Sequence, residues 1–94
     1  MSAAQTVAAS PAANTVTISG MAFSPASITI KAGQTVTWVN QDSIAHTVTS
    51  DQGLWDPGSL APGASYQQTF ATAGQYAYHC TIHPFMTGTV VVTP

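Results

Sequence analysis

"GQYAYHCTIHPFM", residues 74–86, alternates and then stops alternating. Up to Cys80 every second residue is one to bury, so Tyr76, Tyr78 and Cys80 share the inner face of a strand while His79 points the opposite way. Beyond Cys80 the two-residue period is lost, and a cysteine, a histidine and a methionine follow at three-residue intervals: Cys80, His83 and Met86. The stretch reads as a core strand that ends in a loop of soft donor atoms.

Outward from it the same period recurs. Strands are expected at 15–19 (TVTIS), 27–31 (SITIK), 35–40 (TVTWVN), 46–50 (HTVTS), 65–70 (SYQQTF), 75–80 (QYAYHC) and 87–93 (TGTVVVT). Between them lie turn residues, with Gly33, Gly63 and Gly74 suited to positive φ and Pro25, Pro57 and Pro62 withholding a donor. Ile28 and Ile30 share a face, as do Val36 and Trp38, and His46 and Val48. Trp38 is expected in the core and Trp55 in loop packing. Tyr76, two residues after Gly74, has the setting of a tyrosine corner. The predicted fold is all-β, a Greek-key β-sandwich of seven to eight strands. Residues 1–14, small and polar, read as a flexible N-terminal lead-in, and residues 15–94 as a single domain.

Composition removes several classes of function. Only 4% of the 94 residues are charged, namely Lys31, Asp42, Asp51 and Asp56. Binding to nucleic acid needs clustered cations to displace counterions, and one lysine does not supply them. The three aspartates are too dispersed to form a docking patch or a carboxylate pair. No apolar run approaches a membrane span, and the first residues lack the basic start and apolar core of a signal peptide. One cysteine excludes an internal disulfide.

The donor types decide the chemistry. A thiolate and a thioether are soft and an imidazole intermediate, so Cys80, His83 and Met86 suit copper better than zinc, calcium or magnesium. A trigonal His₂Cys arrangement with a weak axial Met needs one more imidazole. His46 opens a strand after the turn "NQDSIA", at the end of the sandwich where the Cys80 strand finishes. His79 faces away from Cys80 and is rejected, which also counts against a zinc site built from His46, His79, Cys80 and His83. A Cys80 nucleophile would lack a cleft and an oxyanion arrangement, so no enzyme activity is expected.

"YHCTIHPFM" with the distant "AHT" resembles the cupredoxins, the small blue copper proteins, and within them the amicyanin, plastocyanin and pseudoazurin group. The loop is similar to the short amicyanin loop, with Ile82 in place of a proline, and "FSPASITIKAGQTVTWVN" is similar to the family's second and third strands. The resemblance implies one copper per chain, with His46, Cys80 and His83 as equatorial ligands and Met86 as the axial one. It makes His83, Pro84 and Phe85 the electron port and docking patch. Thr47 and Thr81 would stand beside the ligands, and with Thr47 where plastocyanin has asparagine the bond that ties the two ligand loops is expected to differ. The implied activity is one-electron transfer between a redox-protein donor and acceptor. The implied form is a soluble, processed monomer in the periplasm or another extracytoplasmic space. The other reading is a copper carrier or chaperone of the same fold, which would expose more methionine and exchange its metal readily.

Overall fold

The computed structural model describes residues 14–94. Ten short strands, with no helix among the described residues, follow one another: β1 (Thr15–Ser19), β2 (Ala22–Ser24), β3 (Ser27–Lys31), β4 (Thr35–Asn40), β5 (His46–Thr47), β6 (Thr49–Ser50), β7 (Ser59–Leu60), β8 (Ser65–Thr69), β9 (Gly74–His79) and β10 (Thr87–Thr93). One sheet has the order β2-β1-β4-β8, the other β3-β10-β9-β6, and β5 and β7 form a small ladder at the end of the sandwich. The β1–β4 and β3–β10 pairings are parallel and the rest antiparallel. The lead-in expected over 1–14 lies outside the described residues except for Asn14, whose carbonyl accepts the Thr37 N–H at 2.9 Å.

Alternation fills the space between the sheets. Val16 and Ile18 of β1 and Val36 and Trp38 of β4 face Ile28 and Ile30 of β3, Tyr78 of β9 and Val90 of β10, all of them buried. Tyr78 meets Trp38 edge-on at 5.3 Å and Phe23 at 4.8 Å between ring centroids. That geometry places ring edges against ring faces. Trp55, expected in loop packing, is itself buried against Trp38 and Phe70. Across the β9–β10 pair Tyr78 faces Gly88, where a Cβ would come within 2.4 Å of the tyrosine ring and hydroxyl. Glycine is therefore dictated at 88 by the bulk of its partner. Tyr76 is half-buried, and its hydroxyl donates to the Thr72 carbonyl at 2.5 Å, the contact expected of a tyrosine corner.

The run at 46–50 departs from the expected single strand. His46 and Thr47 pair with Leu60 and Ser59, Val48 breaks the ladder, and Thr49 and Ser50 cross to the other sheet and pair with β9. Three successive residues, His46, Thr47 and Val48, are buried. Strand alternation fails here because Thr47, which should face outward, has its own hydrogen bonds to make inside. The strand β2 lies between the expected strands, and β7 lies within the stretch 56–64 read as a turn.

Candidate metal centre

His46, Cys80, His83 and Met86 come from two loops at one end of the sandwich. Residues 80–86 connect β9 to β10, and residues 41–45 connect β4 to His46 at the start of β5. The hairpin loop closes on its own backbone, with the Cys80 N–H donating to the Met86 carbonyl at 3.1 Å and the Met86 N–H to the His83 carbonyl at 2.9 Å. Cys80, His46 and Met86 are buried, at 0%, 0% and 2% exposure. His83 is half-buried, with Ile82, Pro84 and Phe85 exposed around it. Phe85, 71% exposed, has its ring centroid 6.1 Å from that of His83.

Hydrogen bonding settles which nitrogen of His46 is free. Nε2 lies 2.8 Å from Asp42 Oδ2, and an ionised carboxylate only accepts, so Nε2 carries the proton. In the neutral ring Nδ1 is then bare, and it faces Cys80 Sγ at 3.7 Å. The His46 and His83 rings lie 5.2 Å apart at 60°. The His46 Nδ1 and the Cys80 sulfur thus approach each other in the interior, with the half-buried His83 ring beside them. No ready chelate of three or more His, Cys, Asp or Glu side chains exists among the described residues. The fit to a metal therefore rests on the donor types and on these two approaches.

The surroundings of the sulfur favour its thiolate form. Burial pushes the Cys80 thiol up, but the Thr47 N–H, donating at 3.3 Å, and the backbone N–H groups of His83 and Ile82 help to bring it below the ordinary value. Thr47 does more than donate its N–H. Its hydroxyl oxygen accepts the Thr81 N–H at 2.7 Å and the Thr49 hydroxyl at 3.1 Å. With both lone pairs taken, its own O–H is left to donate to Thr81 Oγ1 at 3.2 Å. Thr47 and Thr81 thus join the two loops.

Asp42 is the residue that sequence reasoning missed. It was grouped with Asp51 and Asp56 as dispersed, yet its carboxylate accepts the N–H groups of Gly20 and Met21 at 2.9 and 3.0 Å as well as His46. The Met21 N–H first, then His46, hold its carboxyl below the usual range. The legible signal was the spacing in "DSIAH", an acid four residues before a histidine in one loop. Asn40 shapes that loop: its amide nitrogen donates to the Ile44 and Leu60 carbonyls, each at 2.9 Å, and its oxygen accepts the Asp42 N–H at 3.0 Å. His79 lies apart as expected, half-buried and paired through Nδ1 with Asp51 at 2.5 Å.

The donor set of one thiolate, two imidazoles and one thioether fits copper. A cupredoxin-like domain model matches residues 1–92. The amicyanin of Paracoccus denitrificans is 39% identical over 82 residues, which cover 82% of this chain and 63% of that protein. The plastocyanin of Scenedesmus fuscus is 40% identical over 85 residues, 77% of this chain and 87% of that one. Among solved structures, a Cu(I) form of an amicyanin variant superposes with a TM-score of 0.79 at 37% identity, covering 83% of this chain and 79% of the other. The chain spans less than two thirds of the Paracoccus protein and most of the algal one. With a sandwich of this topology, a matching domain model and relatives at this identity, the chain belongs to the cupredoxin-like family.

Proposed function

We propose that the chain is a one-electron carrier that holds a single copper ion between His46, Cys80, His83 and Met86, and that it is not an enzyme. The observation that carries this is the buried meeting of a proton-free His46 Nδ1 with Cys80 Sγ at 3.7 Å, in a sulfur environment that favours thiolate. Copper, when bound, supplies a couple between Cu(II) and Cu(I). The residues of the chain supply the rest. Asp42 fixes the protonated face of His46, the Thr47 N–H holds the sulfur, and the Thr47–Thr81 bond keeps the two loops in register. A frame fixed in this way needs little rearrangement when the charge at its centre changes.

His83, Pro84 and Phe85 form the side from which a redox partner reaches the donors. Exposed apolar groups with no cationic or acidic cluster among them favour brief contacts with weak steering. We take donor and acceptor to be redox proteins, the carrier to be a monomer over 15–94, and its compartment to be extracytoplasmic, most simply the periplasm. No helix among the described residues is long and apolar enough to cross a membrane. The carrier or chaperone reading fits less well. A metal handed to another protein needs donors that the recipient can touch, and both sulfur residues here are buried.

The test is a visible and EPR spectrum after addition of Cu(II), repeated with Cys80→Ser. An intense thiolate-to-copper band in the parent, absent from the variant, with a reversible electrode response, is the expected result. A colourless parent, or a band that survives the substitution, rejects the proposal.

A further inference from the structure

The β1–β2 connection is a two-residue turn with positive φ at both positions, 61° at Gly20 and 60° at Met21. Ser19 and Ala22 pair across it, so it has the primed geometry that suits the twist of a hairpin. Glycine takes this conformation freely, whereas a methionine side chain takes it only against a steric penalty. Met21 is the single positive-φ residue other than glycine among the described residues. A residue kept in an unfavourable conformation points to something that holds it there.

What holds it is visible. Successive N–H groups of a left-handed turn point the same way and make a concave anion site. Here they close on the two oxygens of one carboxylate: Gly20 N–H on Asp42 Oδ1 and Met21 N–H on Asp42 Oδ2. The Met21 side chain packs against the core, which fixes the turn from its other side. Asp42 Oδ2 also accepts from His46 Nε2. A turn more than twenty residues away in sequence is thereby connected through one carboxylate to a metal-donor imidazole.

We propose that Gly20 and Met21 are positioning residues for His46: the left-handed turn clamps the Asp42 carboxylate, and the clamped carboxylate sets the orientation of the imidazole and the nitrogen it presents to the metal. The last clause rests on His46 being a ligand, as proposed above. The anion on Nε2–H makes the ring a better donor to the more highly charged metal state. Loosening the turn therefore favours the reduced state.

Two substitutions at one position separate conformation from packing. Met21→Asn loses the methionine side chain but tolerates positive φ, while Met21→Val, being β-branched, resists it. The first readout is long-range ¹⁵N–¹H NMR of metal-free protein, which reports the His46 tautomer without any copper. The second is the reduction potential of copper-loaded protein. Met21→Asn is expected to keep the Nε2–H tautomer and the potential of the parent. Met21→Val and Asp42→Asn are expected to lose the single tautomer. Each should raise the potential, with about a tenfold change in relative affinity for the two copper states corresponding to about 59 mV for one electron. A folded Met21→Val protein with unchanged tautomer and potential overturns the proposal. If Met21→Val does not fold, an Asp42→Asn protein with both readings unchanged overturns it equally. A parent with no thiolate-to-copper band defeats the ligand assignment alone, and the metal-free NMR still decides whether the turn positions His46.

Discussion

Residues 40–49 and residues 80–86 carry the candidate donors to one end of the sandwich, the first held mainly through side chains and the second closed mainly by its own backbone. In the first loop the Asn40 side chain bonds to Leu60, the side chains of Asp42 and Thr47 each make two bonds to other segments, and His46 has no exposed surface. In the second the closing bonds are N–H to carbonyl within the loop, and Ile82 and Phe85 stand in solvent. The difference divides the work. The anchored loop defines one imidazole and buttresses the sulfur, and the short self-closed loop can leave its outer edge free for a partner because it needs no side-chain anchors there.

The comparison is broken most severely at Asn40. Asn40→Ala would leave the Leu60 carbonyl without its partner in a buried place, and the Ile44 carbonyl and Asp42 N–H without theirs in part-buried ones. The expected cost is about 3 kcal/mol, or a drop in Tm of roughly 12–24 °C for a domain of this size, read by calorimetry on metal-free protein. Thr47→Val keeps the shape and the N–H to sulfur but removes the hydroxyl between the loops. A loss of about 1 kcal/mol and of about tenfold in copper affinity is expected from denaturation and competition titrations. An unchanged affinity would mean that the loops are held in register without it.

Acid should act first on the anchored loop. The folded Asp42 carboxyl lies below its ordinary value of 3.8, so its contribution is fully present above that pH and is lost as pH falls through the folded value. Metal-free protein is expected to lose thermal stability below pH 3.8, and Asp42→Asn to flatten that fall. The smallest effect is expected at the backbone-held loop. Ile82→Pro deletes an N–H that helps to bring the Cys80 thiol down, so the thiol should titrate higher and the potential fall, with little change in Tm. Thiol reactivity against pH and voltammetry would show it.

Much of this was readable beforehand, and the reason is periodicity. TVTIS, SITIK, TVTWVN and TGTVVVT alternate over five to seven residues between turn residues, and β1, β3, β4 and β10 begin and end where the alternation does. The two-residue strands β5, β6 and β7 are too short to carry a period. Their pairing is decided by partners far away, as is the inward turn of Thr47. The four candidate donors could be named from the sequence because soft atoms at fixed spacing have few other uses. Asp42 was not, since a carboxylate's role depends on the N–H groups of Gly20 and Met21, and nothing in "SGMA" announces that they will face it.

Gly88 also shapes the ground beneath the candidate metal centre. Tyr78 stands two residues before Cys80 and Gly88 two residues after Met86, so the pair forms the rung nearest the loop on which an inward side chain meets none. On the inner face at that height one aromatic ring lies over a bare backbone. A methyl group added at 88 would push the Tyr78 ring out of that place and disturb the packing directly beneath the loop. The floor under the loop thus owes its shape to a missing carbon.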